Sequence, residues 1–168
     1  MKTEELRAIQ APLKERYRDD PDAAVVTLDA AATLGAGVTC KVRTGKALAD
    51  AGLHPASGGD GTSLCSGDML LEALAACAGV TMRAVATSIG IAVEGQVRAE
   101  GDLDFRGTLG VDRGAAVGFR SIRLTFDLDT EASDEQVDKL IELTERYCVV
   151  LQTLVATPAP AVAWARSA

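Results

Sequence analysis

The run Gly67-Asp68-Met69-Leu70-Leu71-Glu72-Ala73-Leu74-Ala75-Ala76-Cys77-Ala78-Gly79-Val80-Thr81-Met82-Arg83 constrains this chain more than any other stretch. Ala, Leu, Met and Glu dominate it, and all are strong helix formers. From Ala73 to Met82 there is no charge. A helix that is apolar on every side lies inside a protein or a membrane. The uncharged run falls well short of the roughly 20 residues a membrane span needs. The expectation is a buried central helix over about Gly67 to Ser88, stopped at Gly90, with Ser66 or Asp68 as its cap and Cys77 near its middle.

A lone cysteine in such a helix is usually packing. A second segment, Thr144-Glu145-Arg146-Tyr147-Cys148-Val149-Val150-Leu151-Gln152-Thr153-Leu154, changes the balance. It places another cysteine at the edge of an apolar run. Two such thiols form a redox pair if the fold brings them together.

The 168 residues fit one domain with a real core. The net charge of −7 argues against nucleic acid and against anionic membrane as partners. The first residues lack the apolar core of a signal peptide, so a cytoplasmic setting is expected, where thiols stay reduced unless they are catalytic or sensing. With one histidine and no Cys-x-x-Cys pair, no metal and no cofactor are expected.

Residues 1–22 read as a helical arm, with Thr3 as cap and a kink at Pro12; residues 23–168 read as the single domain. Ala24 to Thr33 and Val38 to Thr44 read as strands joined at Gly35-Ala36-Gly37. Ala47 to Ser66 reads as a loop whose Gly58-Gly59-Asp60-Gly61 implies sharp turns and close backbone approach. Cys40 and Cys65 read as packing residues, and His54 as a loop residue with a local hydrogen bond. Val93 to Asp104 and Gly118 to Asp129 read as strands, the latter with Ile122, Leu124, Phe126 and Leu128 on one face. A further short strand fits the connection between them. Ser133-Asp134-Glu135-Gln136 matches a capping box opening a second helix. Ala161 to Trp164 reads as a last edge strand. The class is α+β with a largely antiparallel sheet.

A thiol that attacks peroxide must be a thiolate. With an ordinary pKa of about 8.5, it needs a nearby cation, a helix amino terminus or a hydrogen-bond donor. Cys77 lies too deep in its helix to feel that helix's own dipole. Its same-face neighbours Ala73, Leu74, Val80 and Thr81 carry no charge. Activation must therefore come from elsewhere in the fold or from another subunit, with Arg43, Arg146 and Arg106 as candidate cations. The apolar surroundings suit a hydrophobic organic hydroperoxide better than hydrogen peroxide.

The pattern Gly-Gly-Asp-Gly, then Ser-Gly-Asp-Met-Leu-Leu-Glu-Ala-Leu-Ala-Ala-Cys, then Glu-Arg-Tyr-Cys-Val-Val-Leu-Gln-Thr-Leu resembles the OsmC/Ohr family over about Val25 to Trp164. The resemblance implies a sheet around two long central helices and an intertwined homodimer. It also implies thiol-dependent reduction of organic hydroperoxides, with recycling by a dithiol such as a lipoyl or small-thiol system. By position, Cys77 is then the peroxidatic cysteine and Cys148 the resolving one, and Cys65 a possible substitute. The chain departs from the family pattern where an Asn-Pro-Glu usually precedes the first cysteine: it has Cys65-Ser66-Gly67-Asp68, making Asp68 a shorter stand-in. Arg43, in Val42-Arg43-Thr44-Gly45, is the chosen activating arginine. The alternative is a stress or ligand-binding protein of the same fold without turnover.

Overall fold

The structure is a computed structural model. It describes residues 2–5, 8, 10–11, 19, 31–34, 39–44, 47–110, 112–156 and 158–166, with the backbone alone for 31–34, 39–44 and 47–48. Pro12 and residues 20–30 lie outside the described residues, as do the side chains of Cys40 and Arg43.

Four short strands form the first sheet: β1 (Ala31–Leu34), β2 (Thr39–Thr44), β3 (Ala47–Gly52) and β4 (Leu64–Cys65). Their order is β1-β2-β3-β4, antiparallel except for the β3–β4 pair. β3 corrects the expected loop at its start. Ala-Leu-Ala-Asp-Ala-Gly has no β-branched residue, so its strand character comes from pairing along β2 (Lys41 opposite Asp50, Arg43 opposite Leu48) and not from propensity.

The glycine loop behaves as expected from Gly59 on. A Cβ there would lie 1.7 Å from the Leu53 carbonyl oxygen, so only glycine fits. Asp60 closes the next turn, its Oδ1 accepting from the Thr62 N–H at 2.9 Å and the Thr62 hydroxyl at 2.7 Å. His54 also keeps its local role: Nδ1 accepts from the Ala56 N–H at 3.0 Å, and the ring stacks on Phe105.

β4 runs directly into α1 (Ser66–Ile89). The cap residue is Cys65, extended and without a side-chain capping bond, and not Ser66 or Asp68. Pairing with β3 holds Cys65 extended, so the helix starts one residue earlier than the capping residues suggested. Asp68 falls in the first turn, where its charge meets the positive end of the helix. Gly90 ends the helix in a left-handed conformation, φ 77°, its N–H donating to the Ala86 carbonyl. The Thr3 hydroxyl donates to the Thr87 carbonyl at 2.8 Å, fastening the amino terminus to the end of α1.

β5 (Glu94–Leu103) and β6 (Phe119–Asp129) form a long antiparallel ribbon. The connection between them carries a short helix, α2 (Phe105–Thr108), where a strand was expected. The Asp104 side chain accepts from the Arg106 N–H and turns the chain there. Ser133 and Gln136 make the full capping box at the start of α3 (Asp134–Tyr147). Cys148 then leaves the helix, φ −72° and ψ 104°, and α4 (Val149–Ala156) begins. Residues 161–164 are not a strand; Val162 and Trp164 stand exposed.

α1 packs against β5, α3 and α4. One cluster joins Met82, Val85, Ala86, Val93 and Leu140, with Phe126 and Leu128 beside them. The other joins Leu74, Ala78 and Cys148, with Cys77, Ile122, Leu124 and Val150. Only one face of α1 is covered, although the helix is apolar all round: Val80, on the other side, is 72% exposed. By length and composition alone this 24-residue helix is long and apolar enough to cross a membrane, a test that core helices also pass, so the short uncharged run did not decide the matter. Its shared core with the ribbon and α3 is the packing of a core helix.

Candidate active site

Cys77 and Cys148 meet in the second core cluster. Three elements bring them together. α1 carries Cys77 on the flank of its buried face, beside Leu74 and Ala78. The inner face of the ribbon closes over them with Val97, Ala99, Ile122 and Leu124. The bend between α3 and α4 then delivers Cys148, which is fully buried, while Cys77 keeps partial exposure.

The bend also brings backbone donors to the thiols. Inside α4 the first backbone bond runs from the Gln152 N–H to the Cys148 carbonyl, 2.9 Å. The N–H groups of Val149, Val150 and Leu151 precede it and have no acceptor within the helix. Those of Val150 and Val149 serve the Cys77 sulfur, and those of Leu151 and Val150 serve the Cys148 sulfur. A helix amino terminus is an anion site by construction.

The two thiols respond in opposite directions. Burial pushes the Cys77 thiol up, but the Val150 N–H, the Cys148 thiol, the Thr81 hydroxyl and the Val149 N–H outweigh it, so the net shift is down. Burial pushes Cys148 up as well, and there it prevails, because its S–H donates to the Cys77 sulfur and the charge on Cys77 repels a second anion. Cys77 is thus the thiol of the pair that ionises first, and Cys148 the one that keeps its proton to higher pH. By linkage, Cys77 contributes stability that is present above the ordinary thiol range and lost as pH falls through its lowered value. Cys148 does the reverse, its contribution fading as pH rises through its raised value.

Asp68, Arg106, Arg146 and Cys65 are placed or engaged elsewhere. Asp68 is exposed and nine positions before Cys77 on the same helix, about 13 Å along the axis and on the opposite face. Arg106 pairs with Asp104 at 2.6 Å and with Asp112, and the Arg146 guanidinium lies over the Tyr147 ring. The Arg43 side chain is outside the described residues; its backbone sits in β2. Cys65, at the start of α1, is about 18 Å from Cys77 along the helix, far beyond the roughly 7 Å Cα limit for a disulfide. Thr81 was noticed in the sequence only as uncharged. Its hydroxyl, one turn beyond Cys77, was the legible signal for a donor. Val149 and Val150 offered none, because they act through their backbone.

A cavity of about 540 Å³ runs along α1 beside Ala75, Gly79, Met82 and Val97, on the side away from Cys77. On its open side the thiol is flanked by exposed apolar residues: Val80, three positions on in α1, and Val149, whose N–H faces it, are 72% and 70% exposed.

Comparison with known proteins places the fold. A search among curated proteins returned no match. Among solved structures, an OsmC-like protein from Mycoplasma pneumoniae superposes with a TM-score of 0.65 at 19% identity, covering 77% of this chain and 88% of that one. A hypothetical protein from Aquifex aeolicus VF5 gives 0.61 at 15% identity, covering 79% and 90%. The organic hydroperoxide resistance protein OhrB of Bacillus subtilis gives 0.50 at 20% identity, covering 77% and 91%. At these identities the likeness speaks for the fold. The model of the family described as OsmC-like protein matches residues 59–162, which hold α1, the ribbon, α3, α4 and both cysteines of the site. On that match over more than half of its length, the chain belongs to the OsmC-like family.

Proposed function

We propose that this protein is a thiol peroxidase that reduces organic hydroperoxides as an oxidative-stress defence. One observation carries the reading: two cysteines 71 positions apart share one buried cluster, with the thiol of one pushed down and that of the other pushed up. The Cys77 thiolate attacks the terminal peroxide oxygen. The O–O bond breaks, the alcohol leaves after taking a proton from solvent, and Cys77 becomes a sulfenic acid. The Cys148 sulfur then attacks the Cys77 sulfur. The hydroxyl departs with the Cys148 proton as water, and a disulfide remains. A dithiol, of the lipoyl or small-thiol kind, returns two electrons and two protons to restore the pair. Apolar side chains around the thiol favour a hydrophobic peroxide tail.

The test is one equivalent of cumene hydroperoxide followed by peptide mass spectrometry. A Cys77–Cys148 disulfide is expected, cleaved again by dihydrolipoamide with renewed peroxide consumption. Both thiols left free, with peroxide unconsumed, would favour a binding protein of the same fold and end the peroxidase reading.

The homodimer belongs to the same proposal. α1 is apolar all round yet covered on one face only, and the stripe containing Val80 and Leu70 runs past the thiol. An exposed apolar stripe of this kind marks an interaction surface. A second copy covering it would shield Cys77 from water. Sedimentation is expected to give twice the 17.4 kDa of one chain; a monomer at tens of micromolar removes the dimer from the proposal.

A further inference from the structure

We infer that Gln152 is a positioning residue for the Cys77 thiolate: it locks the bend between α3 and α4 so that the first N–H groups of α4 aim at the sulfur. This rests on Cys77 being the reactive thiolate, and goes beyond it by assigning what holds the donors in place.

Four carbonyls at the end of a helix lack intrahelical partners. At the end of α3, the Thr144 carbonyl accepts from the Cys148 N–H at 2.9 Å. The next one, Glu145, accepts from the Gln152 side-chain amide, also at 2.9 Å. The Gln152 backbone N–H meanwhile donates to the Cys148 carbonyl at 2.9 Å. One residue therefore bonds both sides of the break, to the last turn of α3 and to Cys148 itself. The side-chain bond spans seven positions, which only a closed bend permits.

The lock matters because α4 is otherwise lightly held. It has eight residues and none is fully buried. An isolated helix of that length is not stable in water. Val150, Leu151 and Leu154 pack on the cluster from one side, and this packing leaves the tilt of the first turn to the bend. Hydrogen bonds fall off steeply with misalignment, so a small rotation there removes the Val149 and Val150 N–H groups from the sulfur.

Among the described residues few other charges compete at this point. α4 carries no charged residue, and the inner face of the ribbon presents only apolar side chains to Cys77. On α3, Glu145 and Arg146 are exposed, with Arg146 over the Tyr147 ring. On α1, Glu72 and Arg83 are exposed, and Arg83 is paired with Glu94. Among the described residues, Cys148 is the titratable group in contact with the thiol.

The experiment is iodoacetamide alkylation of Cys77 against pH, read by peptide mass spectrometry on the full chain, in Gln152→Met and Gln152→Asn. Met keeps the length without a donor; Asn keeps the amide but is one methylene short. The parent midpoint is expected below the ordinary thiol value of about 8.5. Both variants should raise it by roughly half a unit or more, slowing alkylation near neutral pH about threefold. Amide exchange at Val149 and Val150 should quicken, while the melting temperature stays near the parent's because Gln152 is exposed. A midpoint unchanged in both variants overturns the proposal. Alkylation reads the thiolate without peroxide, so a parent that fails to consume peroxide yet shows the shift sinks the peroxidase reading and keeps this one.

Discussion

With Cys77 replaced by serine, consumption of cumene hydroperoxide in the presence of dihydrolipoamide is expected to fall to the rate of the dithiol alone. The substitution changes one atom, and Cys77 is not sealed in the core, so the fold should persist. What disappears is the anion. The donors from Val150, Val149 and Thr81 lower a thiol whose ordinary pKa is about 8.5. The same hydrogen bonds cannot bring a serine hydroxyl into ionisation in water, and a neutral hydroxyl does not open an O–O bond. Cys148→Ser should differ in kind. The first turnover survives, because the nucleophile is intact, but the sulfenic acid waits for an external thiol. Peroxide consumption and sulfenic-acid trapping, measured on both variants, separate the roles. If Cys77→Ser consumes peroxide as fast as the parent, the thiol chemistry is elsewhere.

Leu140→Ala is expected to produce a large loss of stability, about 2–5 kcal/mol. Leu140 is fully buried on α3, against Met82, Val85 and Ala86 of α1 and Val93 at the ribbon's start. Truncating it removes buried methyl groups where three elements meet. A helix on one side and a ribbon on the other are poorly able to close the gap. At this chain length the melting temperature should drop by about 4–20 °C. Val149→Ala is the control, because that side chain is 70% exposed and should change the melting temperature little. A Leu140→Ala protein that melts within a degree of the parent would mean α3 does not dock on α1 as described. The consequence reaches the site, since α3 carries Cys148 at its end.

Some parts of this molecule could be read from the chain because their causes are local. The Ser133–Gln136 capping box is closed within four residues, and both of its hydrogen bonds are present. Gly90 stops α1 because glycine alone takes φ 77° without strain. Ile122, Leu124, Phe126 and Leu128 alternate, and a ribbon with one covered face follows from that period. β3 escaped notice because Ala47–Gly52 has no strand propensity of its own. The expected edge strand at 161–164 failed for the opposite reason. Its alternation is local, but strand formation requires a partner, and among the described residues none pairs with it.

The candidate site divides the same way. Sequence alone determined that α1 is apolar all round, that Cys77 sits at mid-helix, and that nothing charged on its own face activates it. Those are properties of composition and of the 3.6-residue period. Only the tertiary structure brought hydrogen-bond donors to Cys77 from a distant part of the chain. The donors are backbone N–H groups of Val150 and Val149, present in every residue except proline and therefore without any sequence signature. They become donors to sulfur only because the chain breaks at Cys148 and turns a new helix start toward a residue 71 positions earlier.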